Sequence, residues 1–83
     1  MTSLLYPIST EKALGMIDKN NTISYIVDFR SNKKEIKKEF EEVFGVKVES
    51  INTSMSIKNF KKAFIRLKPE YKAGEVARKL KLV

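Results

Sequence analysis

Asn32-Lys33-Lys34-Glu35-Ile36-Lys37-Lys38-Glu39-Phe40-Glu41-Glu42-Val43-Phe44-Gly45 carries both ends of a helix and its buried stripe in one stretch. Asn32 is an N-cap residue and Glu35 stands three positions later, which predicts a capping box. In that motif the cap side chain accepts from the amide three residues on, and the carboxylate there accepts from the amide of the cap. Gly45 supplies the left-handed residue that stops a helix. Between the two ends, Ile36, Phe40, Val43 and Phe44 recur at helical spacing and predict one apolar face.

Working outward, Thr22 to Phe29 alternates, with Ile23, Tyr25, Val27 and Phe29 on one side and Thr22, Ser24 and Asp28 on the other. That is the pattern of a half-buried strand. After the helix, Val46 to Thr53 returns to a period of two through Val46 and Val48. The phase then slips to Ile51, which predicts a bulge or a twist there. Ser54 to Phe60 reads as a hairpin connection, and Lys61 to Lys68 as a strand with Ala63, Ile65 and Leu67 facing one way. Farther out, Leu4 to Tyr6 predicts a brief edge strand closed by Pro7, which lacks the ladder donor. Ser9 or Thr10 then caps a first helix with Glu11 in its positive first turn. Ile8 is placed to staple onto Ala13, and Ala13, Leu14 and Ile17 form the inner face up to Asn20 and Asn21. Pro69 and Glu70 predict the start of a last helix with the stripe Ala73, Val76, Ala77 and Leu80. The order β-α-β-α-β-β-α makes a single α+β domain over residues 1–83.

Composition narrows the function. The chain has 83 residues, no cysteine and no histidine. Disulfides, thiolate zinc sites, cysteine nucleophiles and imidazole bases are thereby excluded. It is 42% hydrophobic and 33% charged, enough apolar content for a core. No apolar run exceeds three residues, too short to span a bilayer. Pro7 and Glu11 stand where a signal peptide needs an apolar stretch, so a cytoplasmic protein is expected. Asp18, Asp28, Glu49 and Glu70 show neither paired-carboxylate nor metal-ligand spacing, and no glycine-rich phosphate loop occurs. A phosphoester hydrolase built on Arg30 has nothing to single it out. The expectation is a non-enzyme with no cofactor, metal or small-molecule substrate.

Charge points to a partner. Lysine and arginine number 17 against 10 acids, for a net charge of +7 and a pI near 9.7. Residues 30–38 hold Arg30, Lys33, Lys34, Lys37 and Lys38 against Glu35 alone, and residues 58–68 hold Lys58, Lys61, Lys62, Arg66 and Lys68 with no acid. The central helix has lysines at its start and Glu39, Glu41 and Glu42 toward its end, the reverse of what a helix dipole favours. A docked polyanion would turn that arrangement favourable. The basic residues near the end of the last helix, Arg78, Lys79 and Lys81, complement its dipole and need no ligand.

Some segments admit a plainer reading. Lys58 to Ile65 is similar to the aromatic-basic strand of an RNA recognition motif but lacks its glycines. With helices on both sheet faces, Phe64 is expected in a second packed face rather than as a stacking surface. Asn52, Thr53 and Ser54 either satisfy a turn or hydrogen-bond phosphate and ribose. Gly15 and Gly74, inside helices, are expected to mark close backbone packing, with the approach of a partner as the alternative.

Five segments together resemble one family. They are Tyr6-Pro7-Ile8-Ser9-Thr10-Glu11-Lys12-Ala13; Asn21-Thr22; Asn32-Lys33-Lys34-Glu35-Ile36-Lys37; Phe44-Gly45-Val46-Lys47-Val48 with Ile51-Asn52-Thr53; and Lys61-Lys62-Ala63-Phe64-Ile65-Arg66-Leu67. The chain resembles large-subunit ribosomal protein twenty-three along its length. The resemblance implies a three-layer α/β/α domain around a four-stranded antiparallel sheet. It also implies binding to large-subunit ribosomal RNA beside the nascent-chain exit tunnel. Ribosomal protein twenty-nine would be the neighbour there, with signal recognition particle and translocon docking nearby and no membrane insertion. The Asn32-Lys33 helix start and the Lys61-Lys62 strand are carried over with it as RNA contacts, and Glu11 as a protein-docking residue. Together with the basic windows and their polar neighbours, the expected RNA contacts are Thr10, Lys12, Arg30, Asn32, Lys33, Lys34, Lys37, Asn52, Thr53, Lys58, Lys61, Lys62 and Arg66. The short connection between Asn52 and Lys61 and the absence of a basic extension before Leu4 are similar to archaeal-type members. A free-standing RNA-binding regulator is the alternative.

Overall fold

The computed structural model describes residues 4–55 and 61–80. Its elements are β1 (Leu4–Pro7), α1 (Glu11–Asn20), β2 (Thr22–Val27), α2 (Lys33–Phe44), β3 (Val48–Met55), β4 (Lys61–Leu67) and α3 (Ala73–Lys79), in the expected order. The strands form one four-stranded antiparallel sheet in the order β1-β2-β4-β3.

β2 is an inner strand with α1 packed against it, and all six of its residues are buried. Thr22, Ser24 and Ile26 are therefore covered, where the alternation alone predicts an open side. The strand also stops two residues earlier than expected. Asp28 Oδ1 accepts from the Arg30 amide at 2.9 Å and the Asp28 carbonyl accepts from the Ser31 amide at 3.0 Å. This Asx-type turn ends the strand and leaves Phe29 exposed rather than in the apolar row.

α2 forms as read. Glu35 N donates to Asn32 Oδ1 at 2.8 Å, the reciprocal bond completes the capping box, and Gly45 takes φ 65°. Ile36 and Phe40 are wholly buried and Phe44 half-buried, but Val43 is 63% exposed. Contact follows the row Ile36–Phe40–Phe44, so Val43 on its flank is left out. The Phe40 ring meets Tyr25 edge-on, with centroids 6.4 Å apart, and lies 4.6 Å from Phe44. The glutamates later in α2 have structural tasks. Glu39 Oε2 accepts from Leu4 N at 2.6 Å and Glu41 Oε2 from Val48 N at 2.8 Å. Each pins the first amide of an outer strand.

The main apolar cluster joins Ile23, Tyr25, Val27, Ile51, Ala63, Ile65 and Leu67 of the sheet to Ile17, Ile36, Phe40, Ala73, Val76 and Ala77 of the helices. The expected phase slip in β3 is present as a register shift between Val48 and Ser50. Two further expectations need correction. α3 begins at Ala73, not at Pro69, because a turn in which Tyr71 N donates to Lys68 O comes first. Gly15 and Gly74 do not mark close packing, since a Cβ at either would meet nothing within 4 Å.

Asn21 ties the layout together. It closes α1 in the left-handed region at φ 52° and ψ 39°. Its Nδ2 donates to Tyr71 O at 2.8 Å, and its Oδ1 accepts from Ala73 N at 2.7 Å. It thereby caps α3, whose own cap position, Lys72, makes no side-chain cap bond.

Candidate nucleic-acid interface

The register of β4 decides where its cations go. Lys61 pairs with Val27 and Lys62 with Ile26, so both stand at the end of the sheet from which the chain leaves for α2. Adjacent strand residues point to opposite faces. Lys61 turns toward α2, and its Nζ donates to the Ser31 carbonyl at 2.6 Å, one residue before the Asn32 cap. Lys62 is exposed on the other face. The two basic windows, far apart in sequence, thus meet at one rim, where Lys61 reaches Ser31 between Arg30 and Lys33, with Lys62 looking out from the opposite face of the sheet.

Each member of the rim is held differently. Arg30 Nε lies 3.4 Å from Asp28 Oδ1, and its guanidinium sits 5.7 Å from the Phe29 ring centroid. The Arg30 backbone amide, then its side chain, hold the Asp28 carboxyl below its usual range. Lys33, Lys34 and Lys37 are exposed on α2, with Lys37 one turn after Lys33 on the same side. Asn32 and Thr10 spend their side-chain oxygens on helix caps, Thr10 Oγ1 accepting from Ala13 N at 3.2 Å.

The remaining expected contacts divide between the sheet faces. Asn52 and Arg66 share the Lys62 face, whereas Thr53, opposite the buried Ala63, points the other way. Arg66 lies at the far end of β4 and pairs with Glu49 at 3.3 Å, both exposed. It is not part of the rim. Lys12 borders two hollows, one with Thr10, Ser24, Lys62 and Phe64, the other with Met16, Asn52, Phe64 and Arg66. Glu11 opens α1, exposed. Lys58 lies outside the described residues. So Lys12, Lys62, Phe64, Arg66 and Asn52 surround one continuous face, beside the lysine rim.

Phe64 is half-buried beneath those hollows and does not join the main apolar cluster. Ser24, directly opposite Phe64, is buried with an Oγ that has no hydrogen-bond partner among the described residues. Sequence alone gives no sign of Ser24 and Ser31, because Ser24 takes its place from cross-strand register and Ser31 from the Lys61 side chain thirty residues on. No cluster of metal-binding side chains occurs among the described residues. None of the described helices is long and apolar enough to cross a membrane.

Comparison with known proteins follows the same direction. A family model described as ribosomal protein L23 matches residues 2–73. The large ribosomal subunit protein uL23 of Trypanosoma brucei brucei is 45% identical over 78 residues, 94% of this chain and 48% of the relative. The chain therefore spans about half the length of the curated relative it matches.

Proposed function

The chain belongs to the ribosomal protein L23 family, and on that premise we propose that it is a structural constituent of the large ribosomal subunit that binds large-subunit ribosomal RNA. The family is structural and non-enzymatic, which agrees with a chain lacking cysteine and histidine. The observation that carries the reading is the 2.6 Å bond from Lys61 Nζ to the Ser31 carbonyl. It draws the start of β4 to the start of α2 and merges two basic segments into one rim. There Lys33, Lys34, Lys37 and Lys62 engage phosphates, with the amides at the helix start adding their partial positive charge. Lys61 and Arg30 shape the rim through their internal bonds. Duplex RNA would be recognised by shape, since its deep groove offers side chains few readable base edges.

Residues 1–83 act in this reading as one RNA-binding domain, ribosome-bound in the cytoplasm beside the exit tunnel. Ribosomal protein twenty-nine is its neighbour, and signal recognition particle and the translocon dock close by. Glu11, exposed at the start of α1, is the protein-docking residue.

Sedimentation and salt-dependent RNA binding test this. The protein should co-sediment with large subunits. Lys33→Glu/Lys34→Glu should weaken binding to large-subunit RNA by well over tenfold. The slope of log affinity against log salt should become shallower by roughly 0.7–0.9 for each phosphate no longer neutralised. Migration as free protein, or unchanged binding by the double variant, would refute the proposal.

A further inference from the structure

We propose that the sheet face bearing Phe64 holds one unpaired nucleotide of the bound RNA, with its base stacked on the Phe64 ring. This rests on the RNA-binding reading above and names a ligand subsite within it, beside the lysine rim and sharing Lys62 with it.

The register lays the face out in three rows. Ser24, Phe64 and Asn52 are direct cross-strand neighbours, Ile26, Lys62 and Ser54 form the row on one side, and Thr22, Arg66 and Ser50 the row on the other. An aromatic ring thus stands midway between two cations on its own strand, each two residues away. Rise along a strand puts Lys62 and Arg66 about 6–7 Å from Phe64 on the same face. Lys12 of α1 overlooks the same ground. Ring and flanking cations are the two parts that hold a single-stranded nucleotide, one for the base and one for its phosphates.

The face is open where a ligand would need it. Asn52, Lys62 and Arg66 are exposed, and Phe64 is only half-buried. The hollow lined by Lys12, Met16, Thr22, Ser50, Asn52, Phe64 and Arg66 measures about 390 Å³. Asn52 offers both a donor and an acceptor to a base edge. The second, independent observation is Ser24. It is 2% exposed, lines the smaller adjoining hollow beside Phe64 and Lys62, and leaves its Oγ unpartnered among the described residues. Buried hydroxyls are ordinarily satisfied, and a base or ribose group seated there would satisfy this one.

The test uses a short oligouridine carrying one central 2-aminopurine, whose fluorescence falls on stacking, titrated with the full chain at low salt. The parent protein should quench it. Phe64→Leu keeps apolar volume but removes the ring. It should abolish the quench and weaken binding about 5- to 150-fold, the range for a missing base–aromatic stack, and Phe64→Tyr should restore both. Asn52→Ala, at an exposed position, gives a second reading if Phe64→Leu does not fold, and should weaken binding several-fold. Parent-like quench and affinity in Phe64→Leu, or in Asn52→Ala where that variant is the one read, would overturn the proposal. Failure to bind the oligomer, with salt-dependent binding to large-subunit RNA intact, would also overturn it while leaving the family reading standing. Loss of both in the parent protein would remove both.

Discussion

Asn21→Ala removes a single small side chain and should cost this domain a quarter or more of its stability. The loss has three parts. Asn21 sits at φ 52°, where an ordinary side chain costs roughly 1 kcal/mol more than glycine or asparagine. Its two short bonds, to Tyr71 O at 2.8 Å and from Ala73 N at 2.7 Å, contribute about 1 kcal/mol each. The longer approaches to Leu67 O at 3.3 Å and Lys68 O at 3.4 Å share one nitrogen with the Tyr71 bond and add little. The total is about 3 kcal/mol. A domain of this size holds only about 4–12 kcal/mol in all. Asn21→Gly keeps the backbone at ease and loses only the bonds, about 2 kcal/mol. At about 4–8 °C per kcal/mol, Tm should drop by roughly 12–24 °C for alanine and 8–16 °C for glycine. Urea titrations followed by far-UV circular dichroism measure both. If the glycine variant matched the parent protein, Asn21 would be no more than a helix terminator and its bonds would not hold the start of α3.

Gly15→Ala should stabilise the protein by about 0.5–1 kcal/mol, because a helix-interior glycine is replaced and the added methyl meets nothing within 4 Å; a lowered Tm would show that the position is crowded. Asp28 has a depressed folded-state pKa, first through the Arg30 amide. Its contribution is therefore present above the unfolded value of about 3.9 and disappears as pH falls from there through the folded one. Urea midpoints measured down the acid limb should drop less steeply for Asp28→Asn. Tyr25 is shifted upward, mainly by burial and secondarily by Glu39, so its contribution holds below an unfolded pKa of about 10 and fades as pH rises through the higher folded value. Phenolate absorbance should show a late-titrating tyrosine that is absent in Tyr25→Phe. Lys33→Gln/Lys34→Gln should raise Tm slightly while weakening RNA binding.

Where structure follows from partners near in sequence, the chain is legible. The capping box at Asn32 and Glu35, the Gly45 stop, the Thr10 cap and the slip in β3 all involve residues a few positions apart. Periodicity likewise places Ala63, Ile65 and Leu67 in the core. What escapes is set by distant pairing. Burial of Thr22 and Ser24 follows from α1 packing over β2, which no alternation pattern encodes. The start of α3 is hidden because its cap, Asn21, lies some fifty residues upstream. The same limit applies to the basic rim. Sequence shows two cationic windows, but only the Val27–Lys61 register brings them to one end of the sheet and leaves Arg66 at the other. Phe64 is expected as core when helices are assigned to both faces, whereas its row of the sheet stays open around Asn52 and Lys62.

The charge order of α2 then divides into two problems with separate answers. Its late glutamates oppose the helix dipole, yet Glu39 and Glu41 accept from the first amides of β1 and β3. A charge-assisted bond to a backbone amide outweighs the few tenths of a kcal/mol forfeited to the dipole. That half of the inversion is explained inside the fold. Among the described residues Lys33 and Lys34 have no comparable internal partner. Both are exposed at the positive end of the helix, where each costs about 0.3–1 kcal/mol at low salt. Neutralising them should therefore move stability and RNA affinity in opposite directions, and the stability gain should vanish as salt screens the dipole. Residues kept only to solvate a helix face would show the same gain in stability but leave RNA affinity unmoved. A rise in stability coupled to a fall in affinity is what a surface maintained for a polyanion must show.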